Sequence, residues 1–142
     1  MTPGGKKLAR PLSPTDDGAP DLALRAELVA PTAAVIEILK SARLLAAVVV
    51  VPDEIGTAGP DKSGHLASVS MINATGEKGL LAFTGLDSLA SWDRSARPVP
   101  VLGISAAKSA IEDGAQALVI DVAGPHRFVV TGAALIALAG GG

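Results

Sequence analysis

The sequence predicts an α/β (α+β) domain: a mixed, roughly five-stranded sheet with flanking helices, containing one right-handed βαβ unit. Three observations carry this. Residues 97–121 read as strand, helix and strand in about 25 residues, the length of a short βαβ unit. Residues 44–51 and 117–120 are apolar without alternation, as in strands covered on both faces. Residues 66–72 do alternate, the period-2 mark of a strand with one wetter face.

Residues 1–20 hold four of the ten prolines, with Gly4, Gly5, Gly18 and the adjacent Asp16 and Asp17. Little apolar material offsets the entropy of ordering them, so a flexible N-terminal arm is expected, with the folded domain at 21–142. Asp21 is placed to cap a short helix through Val29. Pro31 suits a first helical turn, and 32–42 follow as a second helix with Val35, Ile36 and Leu39 on one side. The first strand is Arg43–Val51, whose run of valines favours a central position over an edge.

Residues 52–64, rich in Gly, Pro and charge, read as a hairpin connector. A turn over 73–79 leads to a third strand, 80–83, antiparallel to its predecessor and a candidate sheet edge for strand addition. Thr84, Gly85, Leu86 and Asp87 have the form of a capping box, starting a helix to Trp92. In the βαβ unit, 99–102 is the first strand and Ser105 the expected N-cap. Ile104, Ala107 and Ile111 mark the buried helix face, and Gly114 ends the helix. The unit closes with strand 117–120, and such a crossover makes its two strands parallel. Gly124 and Pro125 form a turn, 127–130 a last strand, and 133–139 a C-terminal helix whose Leu135, Ile136 and Leu138 close the domain, the alternative being that they cover a partner as well.

One domain fits the 142 residues, and the aromatics are Phe83, Trp92 and Phe128 alone, so the core is aliphatic. A net charge of −2 offers no basic patch for nucleic acid or an anionic membrane. The absence of cysteine excludes disulfides, thiolate zinc sites and a cysteine nucleophile. No apolar run approaches the roughly 20 residues that cross a bilayer. A cytoplasmic protein is expected, without cofactor or metal.

Four residues are candidates for a ligand site. Ligands of open α/β sheets favour the carboxyl ends of parallel strands. There Ser105 begins a helix, Asp121 follows a strand, and His126 with Arg127 follow the turn. The helix start suits a carboxylate or phosphate, His126 and Arg127 add charge, and Asp121 suits an amine. The alternative role of Asp121 is to order the Gly124–Pro125 turn. Ser105 and Lys108 also form an S-x-x-K pair, but the partner motifs of serine acylases are absent, leaving a cap and a solvated lysine. Residues 59–63 lack the glycine before lysine that a phosphate loop needs. His65 and His126 lack the paired spacing of metal ligands.

Several stretches taken in order resemble the N-terminal domain of the SseB (enhanced serine sensitivity) family, in the single-domain form found in actinobacteria. They are Ala42-Arg43-Leu44-Leu45 before the valine strand, Leu81-Ala82-Phe83-Thr84 leading to Leu89 and Trp92, and Arg97-Pro98-Val99-Pro100-Val101. The last is Glu112-Asp113-Gly114-Ala115 before Leu118-Val119-Ile120-Asp121 and Gly124-Pro125. The resemblance covers about residues 22–139 and implies a shared fold, with no catalytic residue to carry over. The expected function is a non-catalytic cytosolic interaction or regulatory module working with a protein partner or as a homodimer. The alternative is a binder of an amino-acid-like or anionic metabolite at Ser105, Asp121, His126 and Arg127.

Overall fold

The computed structural model describes residues 16–51 and 65–140. The expected connector at 52–64 and the first fifteen residues of the expected arm lie outside them. In chain order the elements are α1 (Leu22–Val29), α2 (Val35–Ser41), β1 (Arg43–Val51), β2 (His65–Ser68), β3 (Ser70–Ile72), β4 (Lys78–Phe83), α3 (Leu86–Trp92), β5 (Arg97–Leu102), α4 (Gly103–Glu112), β6 (Ala117–Ile120), β7 (Phe128–Thr131) and α5 (Gly132–Leu138).

The strands form one mixed sheet, seven among the described residues, running β5-β1-β4-β6-β7. All neighbours are antiparallel except β4 and β6, which pair in parallel from Gly79 opposite Ala117 to Ala82 opposite Ile120. Two more strands arise because the expected 66–72 strand divides. β1 and β4 pair only at Leu45–Phe83 and Ala46–Ala82, then separate. Residues 65–72 enter the fork as a V: β2 pairs with β1, and β3 with β4. Val69 is the vertex, its N–H donating to Ala47 O at 2.9 Å and its carbonyl accepting from Leu81 N–H at 3.0 Å.

β5 and β6 point the same way, as the βαβ reading requires, but β1 and β4 lie between them. α4 spans these strands and packs on all four. Its buried side is Gly103, Ala106, Ala107 and Ala110, so Ile111 is exposed and the expected Ile104–Ala107–Ile111 face is rotated. Ser105 does not cap it. Gly103 donates to Ala42 O at 2.9 Å and lies against Leu39 O, where a Cβ would sit only 1.8 Å away. The strand therefore runs straight into the helix, with Leu102 as N-cap and Ser105 inside the first turn. The other end is as expected. Gly114 adopts φ +79°, its N–H bonds Ile111 O at 3.0 Å, and Ala115 N–H bonds Ala110 O at 2.8 Å, a complete Schellman closure.

Two apolar layers follow from the alternation of side chains across the sheet. One face carries Leu44, Ala46, Leu80, Ala82, Leu118, Ile120 and Val130, under α1, α2, α4 and α5. The other carries Leu45, Ala47, Leu81, Phe83 and Val119 under α3, with Phe83 and Trp92 in tilted contact at 5.7 Å. β4 is buried between β1, β3 and β6. The expected edge at 80–83 is thus a central strand, as its unbroken Leu-Leu-Ala-Phe run suits. β5 and β7 are the outermost strands of this order, and β2 and β3, inside the fork, likewise have one strand partner each. No helix among the described residues is long and apolar enough to cross a membrane.

Candidate functional site

The parallel pair β4 and β6 ends on Thr84 and Asp121, and these two residues hold the polar centre of the molecule. Thr84 N–H donates to Asp121 Oδ1 at 2.8 Å, and its hydroxyl donates to Oδ2 at 2.7 Å. Thr84 is 0% exposed and Asp121 1%. Asp121 has φ 54°, a left-handed conformation that Asp tolerates better than most residues. Its carbonyl accepts from Gly124 N–H at 2.9 Å, so Asp121 orders the Gly124–Pro125 turn, whose peptide is cis.

Two arginines converge on Thr84. Arg25, from α1, donates through Nε to Thr84 Oγ1 at 2.7 Å and through its terminal nitrogens to both oxygens of Asp87 in α3. Arg43, at the start of β1, donates to Thr84 O at 3.1 Å and to Ala19 O, and pairs with Asp16 at 3.0 Å. The hydrogen bond from Arg25 holds the Asp87 carboxyl below its ordinary value of 3.8 despite partial desolvation. The same bond raises Arg25, aided by the charges of Asp87 and Asp121. Thr84 therefore does not close the expected capping box. Its side chain is committed to Asp121 and Arg25, and Gly85 takes the N-cap position of α3.

Residues 16–21 form a strap over this cluster. Leu86 N–H bonds Gly18 O at 2.8 Å, Asp21 N–H bonds Thr84 O at 3.4 Å, and Pro20 lies against Gly85. Asp21 also caps α1 as expected, its carboxylate accepting from Leu24 N–H at 3.0 Å.

The four candidate residues divide. Asp121 and His126 line one cavity of about 180 Å³ together with Arg25, Leu28, Val29 and Pro125. Ser105 does not line it, because β1 and β4 separate β5 from β6. Arg127 turns back to Val122 O, with Nε and a terminal nitrogen each at 3.4 Å. Lys108 is exposed on α4. Among the described residues no group of three or more His, Asp or Glu side chains has the arrangement to hold a metal ion.

Thr84, Arg25 and Arg43 were not among the sequence-derived candidates. The available signal was that two apolar strands, 80–83 and 117–120, each run directly into a polar residue. Chemically the cluster is self-contained. The Thr84 hydroxyl donates to Asp121 and the Ser88 hydroxyl to Gly85 O at 3.0 Å, both buried. No buried side-chain nitrogen or oxygen among the described residues lacks a hydrogen-bond partner. A family model described as the SseB protein N-terminal domain matches residues 22–137. No curated protein and no solved structure matches the chain.

Proposed function

The chain belongs to the SseB N-terminal-domain family, and from that premise we propose that it acts as a non-catalytic protein-interaction or regulatory module in the cytoplasm. One observation carries the reading. The carboxyl ends of β4 and β6 are where an open α/β sheet takes its ligand. Here those positions are spent on the protein's own segments: Asp121 on Thr84, Thr84 on Arg25 and Arg43, and the strap across them. A reactive hydroxyl needs access, and Thr84 is fully buried with its proton committed to Asp121 and Arg25 bound to its oxygen. What the molecule offers outward is backbone and apolar surface along its sheet edge.

A second reading is favoured by the cavity beside Asp121. At about 180 Å³ it is below the usual 300–1,000 Å³ of ligand pockets, so only an amino-acid-sized or smaller anionic metabolite suits it. Arg25 and His126 are the groups that would contact such a molecule.

Two assays separate the readings. Selection from a displayed library of extended peptides should enrich binders, while a thermal-shift panel of amino acids and phosphorylated metabolites should leave Tm unchanged. A metabolite that raises Tm in wild type but not in His126→Ala, with no peptide enriched, overturns the interaction reading.

A further inference from the structure

Resting on the interaction reading, we propose that β7 and α5 form the face through which two copies of this chain associate. The two β7 strands pair antiparallel across a two-fold axis, so that one sheet continues through both protomers.

The two outermost strands of the sheet, β5 and β7, differ in kind. On β5 the odd-numbered residues turn toward β1, in step with Gly103, whose N–H bonds Ala42 O in the same register. Pro98 and Pro100 therefore point their nitrogens outward and remove two of the three outward donors of that rim, leaving Leu102, beside exposed Arg97. This is how natural sheets block edge addition. β7 carries neither proline nor charge, and among the described strands it pairs with β6 alone.

The surroundings of β7 add a second, independent observation. α5 follows it without a break, packs on α2, α4, β7 and β6, and contains no polar side chain. A helix that is apolar all round belongs in an interior. Yet only Leu135 and Leu138 are buried, and Ile136 is 52% exposed. Val129, on the opposite sheet face from Val130, is 46% exposed. The rim is thus an unpaired row of backbone groups with Val129 exposed on one sheet face, and the helix that follows it exposes Ile136.

Charge selects the occupant. No residue in 128–142 is charged, so a charged partner finds nothing to pair with. His126 and Arg127 stand only before the start of β7, and antiparallel pairing sends the two basic ends to opposite sides. A second copy brings an uncharged strand followed by an apolar helix, the matching surface for an isologous contact. β7 alone is about 14 Å long at 3.4 Å per residue. That is too little for the roughly 1,200–2,000 Å² of a stable interface, so α5 takes part through Ile136. Directly opposed residues share a sheet face, so Val129 meets the partner's Val129 or the partner's Thr131.

Sedimentation velocity of the full chain, over a concentration series reaching the millimolar range, tests this. Wild type should dimerise reversibly. Val129→Lys and Ile136→Lys should each weaken association at least tenfold with unchanged circular dichroism, since both side chains are exposed in the protomer. Mixing Val129→Lys with Val129→Glu should restore dimers. A wild type that stays monomeric, or dimers that persist in both lysine variants, overturns the proposal. If wild type is monomeric but selected peptides bind in a Val129→Lys-sensitive manner, the second copy is excluded while the interaction reading stands.

Discussion

Asp121 and Thr84 are joined twice, the backbone N–H of Thr84 to one carboxylate oxygen and its hydroxyl to the other, at 2.8 and 2.7 Å. Because each residue follows one strand of the parallel pair, the two hydrogen bonds fix where those strands stop relative to each other. Thr84→Val keeps the shape but leaves Asp121 short of a donor and Arg25 Nε without its acceptor. Stranding buried polar groups should cost about 1–3 kcal/mol, read as a lower urea midpoint at unchanged slope. Thr84→Ser should recover most of the loss.

The Arg25–Asp87 pair should show in the acid limb of stability. Hydrogen bonding to Arg25 lowers the Asp87 pKa below 3.8, so its contribution is complete above that value and fades as pH falls through the lowered one. Arg25, shifted upward, stays charged throughout. Asp87 is largely exposed, so solvent screening limits the pair to about 0–1 kcal/mol. The stability difference between wild type and Asp87→Asn, followed by denaturant titration, should be constant from pH 7 to about 5 and shrink toward pH 2.

Gly103 and Gly114 bracket the same helix for different reasons, and alanine should separate them. At Gly103 a Cβ would lie 1.8 Å from Leu39 O, a backbone atom that yields only if α2 moves. Gly103→Ala should cost about 3 kcal/mol or more. At Gly114 there is space, and the cost is the left-handed φ of +79°, about 1–2 kcal/mol. Chemical denaturation of the two variants ranks them.

Gly79 and Val119 touch across β4 and β6: a Cβ on Gly79 would be 2.8 Å from Val119 Cγ2. Gly79→Ala should destabilise by about 1–2 kcal/mol in wild type and by much less in a Val119→Ala background. A double-mutant cycle showing coupling below about 0.5 kcal/mol would contradict this contact.

Ser105→Ala provides the plainest check on the start of α4. A true N-cap loses about 1 kcal/mol on that change. Ser105 lies within the first turn, after Leu102, so the unfolding free energy from chemical denaturation should stay within about 0.5 kcal/mol of wild type.

The elements were legible where local chemistry decides them. Asp21 with Leu24, the bounds of Arg43–Val51, and the closure at Gly114 each follow from a few neighbouring residues. Pairing was less so. Nothing local in 80–83 says that β6 lies beside it, and a long apolar run is compatible with either a buried edge or a centre. The start of α4 misled because a serine three residues on looks like a cap, whereas the close approach of Leu39 O to Gly103 is a tertiary fact. The polar centre was half visible. Asp121 and His126 were placed together by the logic of strand ends, but Arg25 and Thr84 stand far apart in the chain and meet only after folding. Ser105 joined the wrong group because the crossover skips β1 and β4.

The outward-facing nitrogens of Pro98 and Pro100 have a consequence for assembly as a whole. An accreting stack of sheets must present a receptive margin at both extremities, and the two prolines make the β5 margin a poor one. Continuous stacking through that margin is thereby disfavoured, which works against the fibre that a chain nearly half hydrophobic invites.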